Sequence, residues 1–288
     1  MIGVGVAGRA RCRAVVADPR ATLAAVWNGR FAPEVAAEHD ARLAPSFEAA
    51  LAGVEAVAIA SPTAVHAEQV RAALDAGKHV LVEYPLATDG ATVEALYARA
   101  AAAGRVLHEE HIELLDAPCS TLSAHVRDVS IRSVTVSFDG PGPADATAHA
   151  LALANVARLH RVVAVGGPFG RVDEVTHEPG RLVAQLSLRG GAPVRAVFQQ
   201  APYFVRQTAL EVDTVTARWE QHDDQLLRDR NPVTLIGSGG LFSRDQRTAT
   251  ARILDGAPHY VDQPTLQHVM DVVDQLATGR SGPLPTRG

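Results

Sequence analysis

Short apolar segments recur at regular intervals through roughly the first 115 residues, and a stretch with helical periodicity follows each of them. Parallel strands joined by helical crossovers are buried on both faces, so they appear in a sequence as continuous apolar runs. This alternation therefore predicts an α/β fold with an open, doubly wound parallel sheet. The predicted strands are Met1–Val6, Thr22–Trp27, Ala56–Ala60, His79–Glu83 and Arg105–Glu109.

A different pattern begins after about Ala117. A helix is predicted near 147–165, and the segments after it alternate between apolar and polar residues. Such alternation is typical of antiparallel strands with one face in solvent. We therefore predict two domains, a doubly wound domain of residues 1–117 and an α+β domain of residues 118–288 built on a mostly antiparallel sheet. Its predicted strands are 181–190, 193–202 and 208–221, and a last helix is predicted at 264–277.

Composition argues against several classes of function. The chain has 288 residues and a net charge of −5, which provides no basic surface for nucleic acid or an anionic membrane. No apolar run approaches the roughly 18 residues of a membrane span. Met1 leads directly into the first strand without room for a signal peptide, and two cysteines form no disulfide framework. We expect a soluble, cytoplasmic protein that acts on a small molecule; the oligomeric state stays open.

A glycine-rich loop joins the first strand to the first helix and has the spacing G-x-G-x-x-G. In this motif the first two glycines permit a tight turn and close approach to a pyrophosphate, and the third lets the helix pack on the strand. The helix N-terminus then faces the negative charge. The motif predicts dinucleotide binding, with a plain packing loop as the alternative. The cofactor residues predicted here are Gly3, Gly5, Val6, Ala7 and Gly8.

The end of the second strand indicates which dinucleotide is bound. An acidic residue there would accept a hydrogen bond from the ribose 2′-hydroxyl of NAD. The sequence instead continues Asn28-Gly29-Arg30, without an acid. Arg30 is suited to a 2′-phosphate, so we predict NADPH as the cofactor, with NADH possible, and assign Asn28 and Arg30 to its binding. The alternative is that Arg30 is an ordinary surface arginine.

Residues 61–85, "SPTAVHAEQVRAALDAGKHVLVEYP", resemble the cofactor-domain pattern of the Gfo/Idh/MocA oxidoreductases. The resemblance implies that Ser61, Pro62, His66 and Glu83 lie along the nicotinamide side of the cofactor. Most members of that family carry a lysine between the Glu and the Pro, as an acid–base group for sugar or polyol oxidation. This chain has Tyr84 there, which disfavours sugar oxidation.

One branch of the family carries Glu-Tyr-Pro at this place, and the enzymes of that branch reduce the linear tetrapyrrole biliverdin. "GKHVLVEYPLA" (77–87) and "GRVLHEEHIELL" (104–115) resemble that branch closely, and "NVARL", "YFVRQ" and "LFSRDQ" extend the resemblance along the chain. The resemblance implies an NADPH-dependent enzyme that transfers a hydride to the central methine carbon of a bilin. Two alternatives stay open: reduction of another conjugated C=N or C=C compound, and a non-catalytic NADP(H)-binding sensor.

Acidic residues follow the fifth predicted strand, where an open α/β sheet forms its ligand crevice. Glu110 and Glu113, at i and i+3 of a predicted helix, would share a face. We predict that these two carboxylates and Tyr84 line the site and relay a proton, because a low-dielectric pocket raises carboxyl pKa values. Glu109 is expected to cap or pair elsewhere. The alternatives are a solvated helix start and a half-buried strand-end tyrosine.

Two arginines of the second domain complete the candidate site. Arg158 lies in a mostly apolar helix, where a guanidinium needs a partner, and Arg206 precedes a strand. We predict that both polarise the bilin or hold its propionates. The alternatives are a structural ion pair for Arg158 and a surface position for Arg206.

A metal site is not predicted. His108 and His111 are three residues apart across a strand end, with no third ligand at metal spacing.

Overall fold

The computed structural model describes residues 1–237 and 239–287. It divides into two compact units, of which the first comprises Met1–Ile112 and Gly240–Tyr260 and the second Glu113–Gly239 and Val261–Gly288. The first unit therefore ends before residue 117 and takes in a segment from near the C-terminus. The reason is a buried ion pair, described below, that binds this segment to the first helix. The assignment of cofactor and substrate to separate domains stays a prediction.

The helices and strands of the described residues are numbered in chain order. The helices are α1 (Val6–Val16), α2 (Ala32–Glu38), α3 (Phe47–Leu51), α4 (His66–Asp75), α5 (Gly90–Ala102), α6 (Ala117–Val126), α7 (Ala148–Ala154), α8 (Val156–Gly166), α9 (Leu241–Asp255) and α10 (Gln263–Thr278). The strands are β1 (Ala25–Val26), β2 (Arg42–Leu43), β3 (Ala56–Ile59), β4 (His79–Val82), β5 (Leu107–Glu109), β6 (Ile131–Gly140), β7 (Phe169–Glu178), β8 (Arg181–Leu188), β9 (Pro193–Gln200), β10 (Gln207–Thr214), β11 (Arg218–His222), β12 (Gln225–Arg228), β13 (Asn231–Pro232) and β14 (Gly282–Pro283). Short 3₁₀ turns cover Thr63–Val65 and Ile112–Leu115.

The first unit contains the predicted parallel sheet. Ile2 forms parallel bridges with Trp27 on one side and Ile59 on the other, so the chain start lies at the centre. From this centre β1 and β2 extend in one direction, and β3, β4 and β5 extend in the other. The predicted doubly wound sheet is confirmed. Two details of the prediction were wrong. The first strand is shorter than predicted, because helix α1 already begins at Val6. Strand β2 was not predicted, because it has only two residues, both exposed, and no apolar run marks it in the sequence.

The second unit is built on one large sheet in the order β13-β12-β11-β10-β6-β9-β8-β7-β14. All its neighbouring pairs are antiparallel except β6 with β9, which confirms the predicted mostly antiparallel sheet. Buried residues alternate with partly exposed ones along β8, as expected when one face is covered.

Several elements of the second unit differ from the prediction. The predicted strand 208–221 is the hairpin β10–β11, because the Thr214 hydroxyl accepts the backbone N–H groups of Thr216 and Ala217 and stabilises a turn. The predicted helix 147–165 is interrupted at Asn155, which separates α7 from α8. Strands β6 and β7 and helix α6 were not predicted. In the described residues no helix has the length and apolar character needed to cross a membrane.

Candidate active site

The glycine loop leaves no room for a side chain at two of its three glycines. Gly3 has a φ of +79°, and a Cβ on it would lie 2.6 Å from the backbone nitrogen of Ser61. A Cβ on Gly8 would lie 2.1 Å from the carbonyl oxygen of Gly3. These two glycines therefore serve the close packing of α1 and the loop against β3.

Gly5 has a different environment, which fits a bound pyrophosphate. A Cβ on Gly5 would meet nothing within 4 Å, so the space beyond it is open. Gly5 is also the N-cap of α1 and makes no side-chain capping hydrogen bond, so the first turn presents backbone N–H groups to this space. The next residue, Val6, is 72% exposed although it is apolar. These features fit a dinucleotide phosphate at the loop.

The end of β1 carries the residues predicted to distinguish NADP from NAD. Asn28 has a φ of 58°, and its side chain accepts the N–H of Gly29. Arg30 is exposed, and its guanidinium carbon lies 4.5 Å from the ring centroid of Phe31. Arg9, which the sequence reasoning did not select, lies 5.1 Å from the same centroid. Two guanidinium groups thus share one aromatic ring near the glycine loop.

The residues that follow β3 are tied to those that follow β4. His66 is buried, and its ring nitrogens lie 2.6 Å from the carbonyl oxygen of Ser61 and 2.9 Å from that of Pro85. The Ser61 hydroxyl donates a hydrogen bond to Gln69, and Pro62 is exposed. The structure therefore brings Ser61, Pro62 and His66 to the carboxyl edge of the sheet. Their contact with the cofactor stays a prediction.

Tyr84 follows β4 at the same edge, immediately before a cis peptide bond to Pro85. Its ring stacks on that of His111, with centroids 5.7 Å apart and an interplanar angle of 14°. Because both residues leave the carboxyl ends of neighbouring strands, the pair belongs to the edge where open α/β sheets bind ligands. Of the two histidines considered for a metal, His111 is thus placed beside Tyr84.

The three glutamates after β5 have three different environments. Glu109 is buried and accepts the backbone N–H of Leu86, in agreement with the expectation that it pairs elsewhere. Glu110 is also buried, and its Oε1 accepts the N–H of Ile112. The prediction that Glu110 and Glu113 share a helix face is wrong, because only a 3₁₀ turn forms here and it begins after Glu110. Glu113 belongs to the second unit.

An unpredicted set of buried polar side chains surrounds Arg11 in the first unit. Arg11 donates to Oε1 of Glu83 from Nε at 3.1 Å and from Nη2 at 2.9 Å, and to Oδ2 of Asp245 from Nη1 at 2.6 Å. Oδ1 of Asp245 accepts from the Tyr260 hydroxyl at 2.7 Å and lies 2.8 Å from Nε2 of His108. We call Arg11, Glu83, Glu110 and Asp245 the Arg11 cluster.

Sequence reasoning missed Arg11 and Asp245 for an identifiable reason. Arg11 is one of three alternating arginines after the glycine loop, and nothing local distinguishes it from Arg9 and Arg13. The available signal was helical spacing: Gly8 packs against the sheet side, and position i+3 shares that face. Asp245 lies within "LFSRDQ", which resembled the family without an assigned role.

The two arginines predicted to bind substrate meet at one aromatic ring in the second unit. The guanidinium carbon of Arg158 lies 4.2 Å from the ring centroid of Phe138 on β6, and that of Arg206 lies 5.7 Å from it. Arg158 is buried and pairs with Glu113 at 3.3 Å, and Arg161 pairs with the same carboxylate at 3.3 Å. Arg206 is exposed. The structure thus brings Arg158, Arg206 and Glu113 together.

Comparison with known proteins agrees with this geometry. A family model described as an oxidoreductase family with an NAD-binding Rossmann fold matches residues 1–111. Residues 1–111 thus match the NAD-binding domain of the Gfo/Idh/MocA oxidoreductases. The glycine loop and the open N-terminus of α1 are the features that such a domain uses to bind its cofactor. The chain is an NAD(P)-dependent oxidoreductase.

Individual relatives of this chain act on different substrates. Biliverdin reductase A of Mus musculus is 27% identical over 219 residues, which are 74% of each chain. UDP-N-acetylglucosamine 3-dehydrogenase of Acidithiobacillus ferrooxidans is 39% identical over 115 residues, 39% of this chain and 36% of that protein. The crystal structure of biliverdin reductase from Synechocystis sp. PCC 6803, in complex with biliverdin and NADP⁺, has a TM-score of 0.84 at 22% identity and covers 96% of this chain and 97% of that one. The last comparison establishes the fold alone.

Proposed function

We propose that this oxidoreductase uses NADPH to reduce biliverdin to bilirubin. The observation that carries the proposal is the arrangement of Arg158 and Arg206 around Phe138, because two cations on an aromatic ring suit a planar, conjugated and anionic substrate. Tyr84 in place of the family's lysine supports it, since the acid–base group of sugar oxidation is missing. The similarity to biliverdin reductase A over 74% of the chain points to the same substrate.

In the proposed reaction the nicotinamide supplies a hydride to the central methine carbon of the bilin, and a proton then reaches the adjacent pyrrole nitrogen. Arg158 and Arg206 hold the propionates or stabilise electron density on the bilin nitrogens. Tyr84 and Glu110 hold and relay the proton. Glu113 orients Arg158 through their ion pair.

The direct test is to mix the purified protein with NADPH and biliverdin IXα. We expect the biliverdin absorption band to decrease while the bilirubin band grows. A matched sample without NADPH controls for bleaching of the bilin. If NADPH binds but biliverdin is unchanged, the proposal for this substrate is contradicted.

A second candidate is the reduction of another conjugated C=N or C=C compound by the same site. The observation that favours it is the 39% identity to a UDP-N-acetylglucosamine 3-dehydrogenase, because that relative acts on a substrate other than biliverdin. Oxidation of NADPH by a cyclic imine, together with no reaction with biliverdin, would favour this candidate.

Arg30 is predicted to determine the preference for NADPH. Because Arg30 is exposed beside the end of β1 and no acid lies at 28–30, its guanidinium is suited to pair with a 2′-phosphate. We expect Arg30→Ala to raise the KM for NADPH roughly tenfold, or about 1.4 kcal/mol, since a charge-assisted hydrogen bond is lost. The KM for NADH serves as the internal control and should change little. Equal effects on both cofactors would remove Arg30 from phosphate recognition.

A further inference from the structure

Inside the first unit the Arg11 guanidinium binds the carboxylates of Glu83 and Asp245, and it interacts electrostatically with Glu110. Arg11, Glu110 and Asp245 are each 0% exposed, and the Glu83 side chain is 14% exposed. A buried carboxylate is strongly disfavoured unless a cation or several hydrogen bonds compensate its charge. One guanidinium contributes one positive charge, so it does not neutralise three ionised carboxylates.

Asp245 is held in its ionised form. His108 Nδ1 lies 3.2 Å from Nη1 of Arg252, which only donates, so Nδ1 accepts and Nε2–H of His108 donates to Asp245. Asp245 therefore accepts from His108, Tyr260 and Arg11. Burial opposes ionisation, but the hydrogen bond from His108 and the charge of Arg11 outweigh it and lower the pKa of Asp245.

Glu83 and Glu110 differ in their contact with Arg11. Glu83 accepts two hydrogen bonds from Arg11, whereas Glu110 forms no ion pair with any residue that the structure describes. One oxygen of Glu110 accepts the N–H of Ile112, and Oε2 is buried without a donor in the described part of the chain. Burying such an oxygen costs less free energy in a neutral carboxyl than in a carboxylate, so it favours the protonated form.

We propose that Arg11, anchored by Asp245, keeps Glu83 ionised and thereby leaves the one proton shared by the cluster on Glu110. Arg11 and Asp245 are then positioning residues, which act on the site through Glu83 and Glu110. The inference deepens the proposed function and rests on it for the catalytic role of Glu110, which is to store the proton that the bilin receives. The placement of the proton itself depends only on the first unit.

The surrounding charges agree with this placement. Burial raises the pKa of Glu110 well above its usual value, and the charge of Glu83 raises it further. Arg11 on α1 opposes this rise, and Asp245 on α9 adds to it. The pKa of Glu83 is raised as well, by burial and by the charge of Asp245, but the charge and hydrogen bonds of Arg11 oppose this rise, as does His66.

The sign of each substitution follows from these charges. Removing the cation in Arg11→Met raises the pKa values of both glutamates, so Glu83 takes up a proton as well. Removing the negative charge in Asp245→Asn lowers the pKa of Glu110, so its proton is released at lower pH. If Arg11 and Asp245 only supported the fold, their substitutions would not shift the pKa of Glu110 in opposite directions.

The test is infrared spectroscopy of the full chain without cofactor or substrate, in which a protonated carboxyl has a C=O band distinct from that of a carboxylate. At about pH 8 we expect one protonated-carboxyl band in the wild type, its loss in Glu110→Gln, and a stronger band in Arg11→Met. Titration of the band should move to higher pH in Arg11→Met and to lower pH in Asp245→Asn, by roughly one unit. Arg20→Met is the matched control, because it removes an exposed ion pair with Asp255 of the same helix α9.

Two results would overturn the inference: a band that survives in Glu110→Gln, or shifts of the same sign in Arg11→Met and Asp245→Asn. If Arg11→Met does not fold, the isosteric Glu110→Gln and Asp245→Asn variants still decide. The measurement contains no biliverdin, so failure of the proposed function leaves its outcome unchanged. Where biliverdin is reduced, loss of the Glu110 proton should also remove the alkaline limb of the rate–pH profile in Glu110→Gln.

Discussion

Gly5→Val is expected to abolish NADPH binding while the fold is retained. The backbone of Gly5 is extended, with φ −85° and ψ −153°, so valine would not be placed in the left-handed region that favours glycine. A side chain here would enter the open space in front of the α1 N-terminus and exclude the pyrophosphate. We expect the Kd for NADPH to rise at least roughly 100-fold, or about 2.7 kcal/mol, as measured by cofactor fluorescence. The Tm should stay close to that of the wild type.

Gly8→Ala is the matched control for this prediction. Its Cβ would lie 2.1 Å from the backbone oxygen of Gly3, so this smaller substitution should lower the Tm. The contrast separates a glycine needed for the ligand from one needed for packing. A folded Gly5→Val protein with wild-type NADPH affinity would exclude this loop as the binding site.

Arg158→Ala is expected to lower kcat/KM for biliverdin by roughly 100-fold, about 2.7 kcal/mol, the scale of losing one preorganised charged donor. NADPH affinity should change little, because Arg158 belongs to the second unit and contacts Phe138 and Glu113. Steady-state kinetics and Tm are to be measured on the same sample. Leaving a buried carboxylate without its ion-pair partner would lower the free energy of unfolding by about 3–5 kcal/mol. In Arg158→Ala, however, Glu113 still pairs with Arg161. We therefore expect a smaller loss of stability.

Arg161→Ala is the control that separates substrate binding from support of the fold. It removes the other guanidinium paired with Glu113 and leaves Arg158 on the ring of Phe138. If both variants reduce turnover equally, the ion pairs around Glu113 account for the effect. A low Tm with normal turnover per folded Arg158→Ala molecule would remove Arg158 from the active site.

The parallel sheet and the glycine loop could be predicted because their signals are local. A strand buried on both faces must be apolar along its length, and a loop that approaches a strand closely must lack side chains, as at Gly3 and Gly8. The two-residue strand β2 and the mixed-polarity strands β6 and β7 lacked a comparable signal. Their pairing is determined by neighbouring strands that lie far away in the sequence.

The sequence by itself determined the doubly wound fold, the loop for the dinucleotide and the candidate side chains. Only the tertiary structure decided which of them are buried and which groups they pair with. Arg11 and Asp245 are 234 residues apart, and no local periodicity relates them. Glu109 and Glu110 are adjacent and chemically alike, and each accepts one backbone N–H, yet only Glu110 of the two keeps a buried oxygen without a donor in the described residues. The physical reason is that the ionisation of a buried carboxyl depends on the groups around it in space, which the fold brings together from distant parts of the chain.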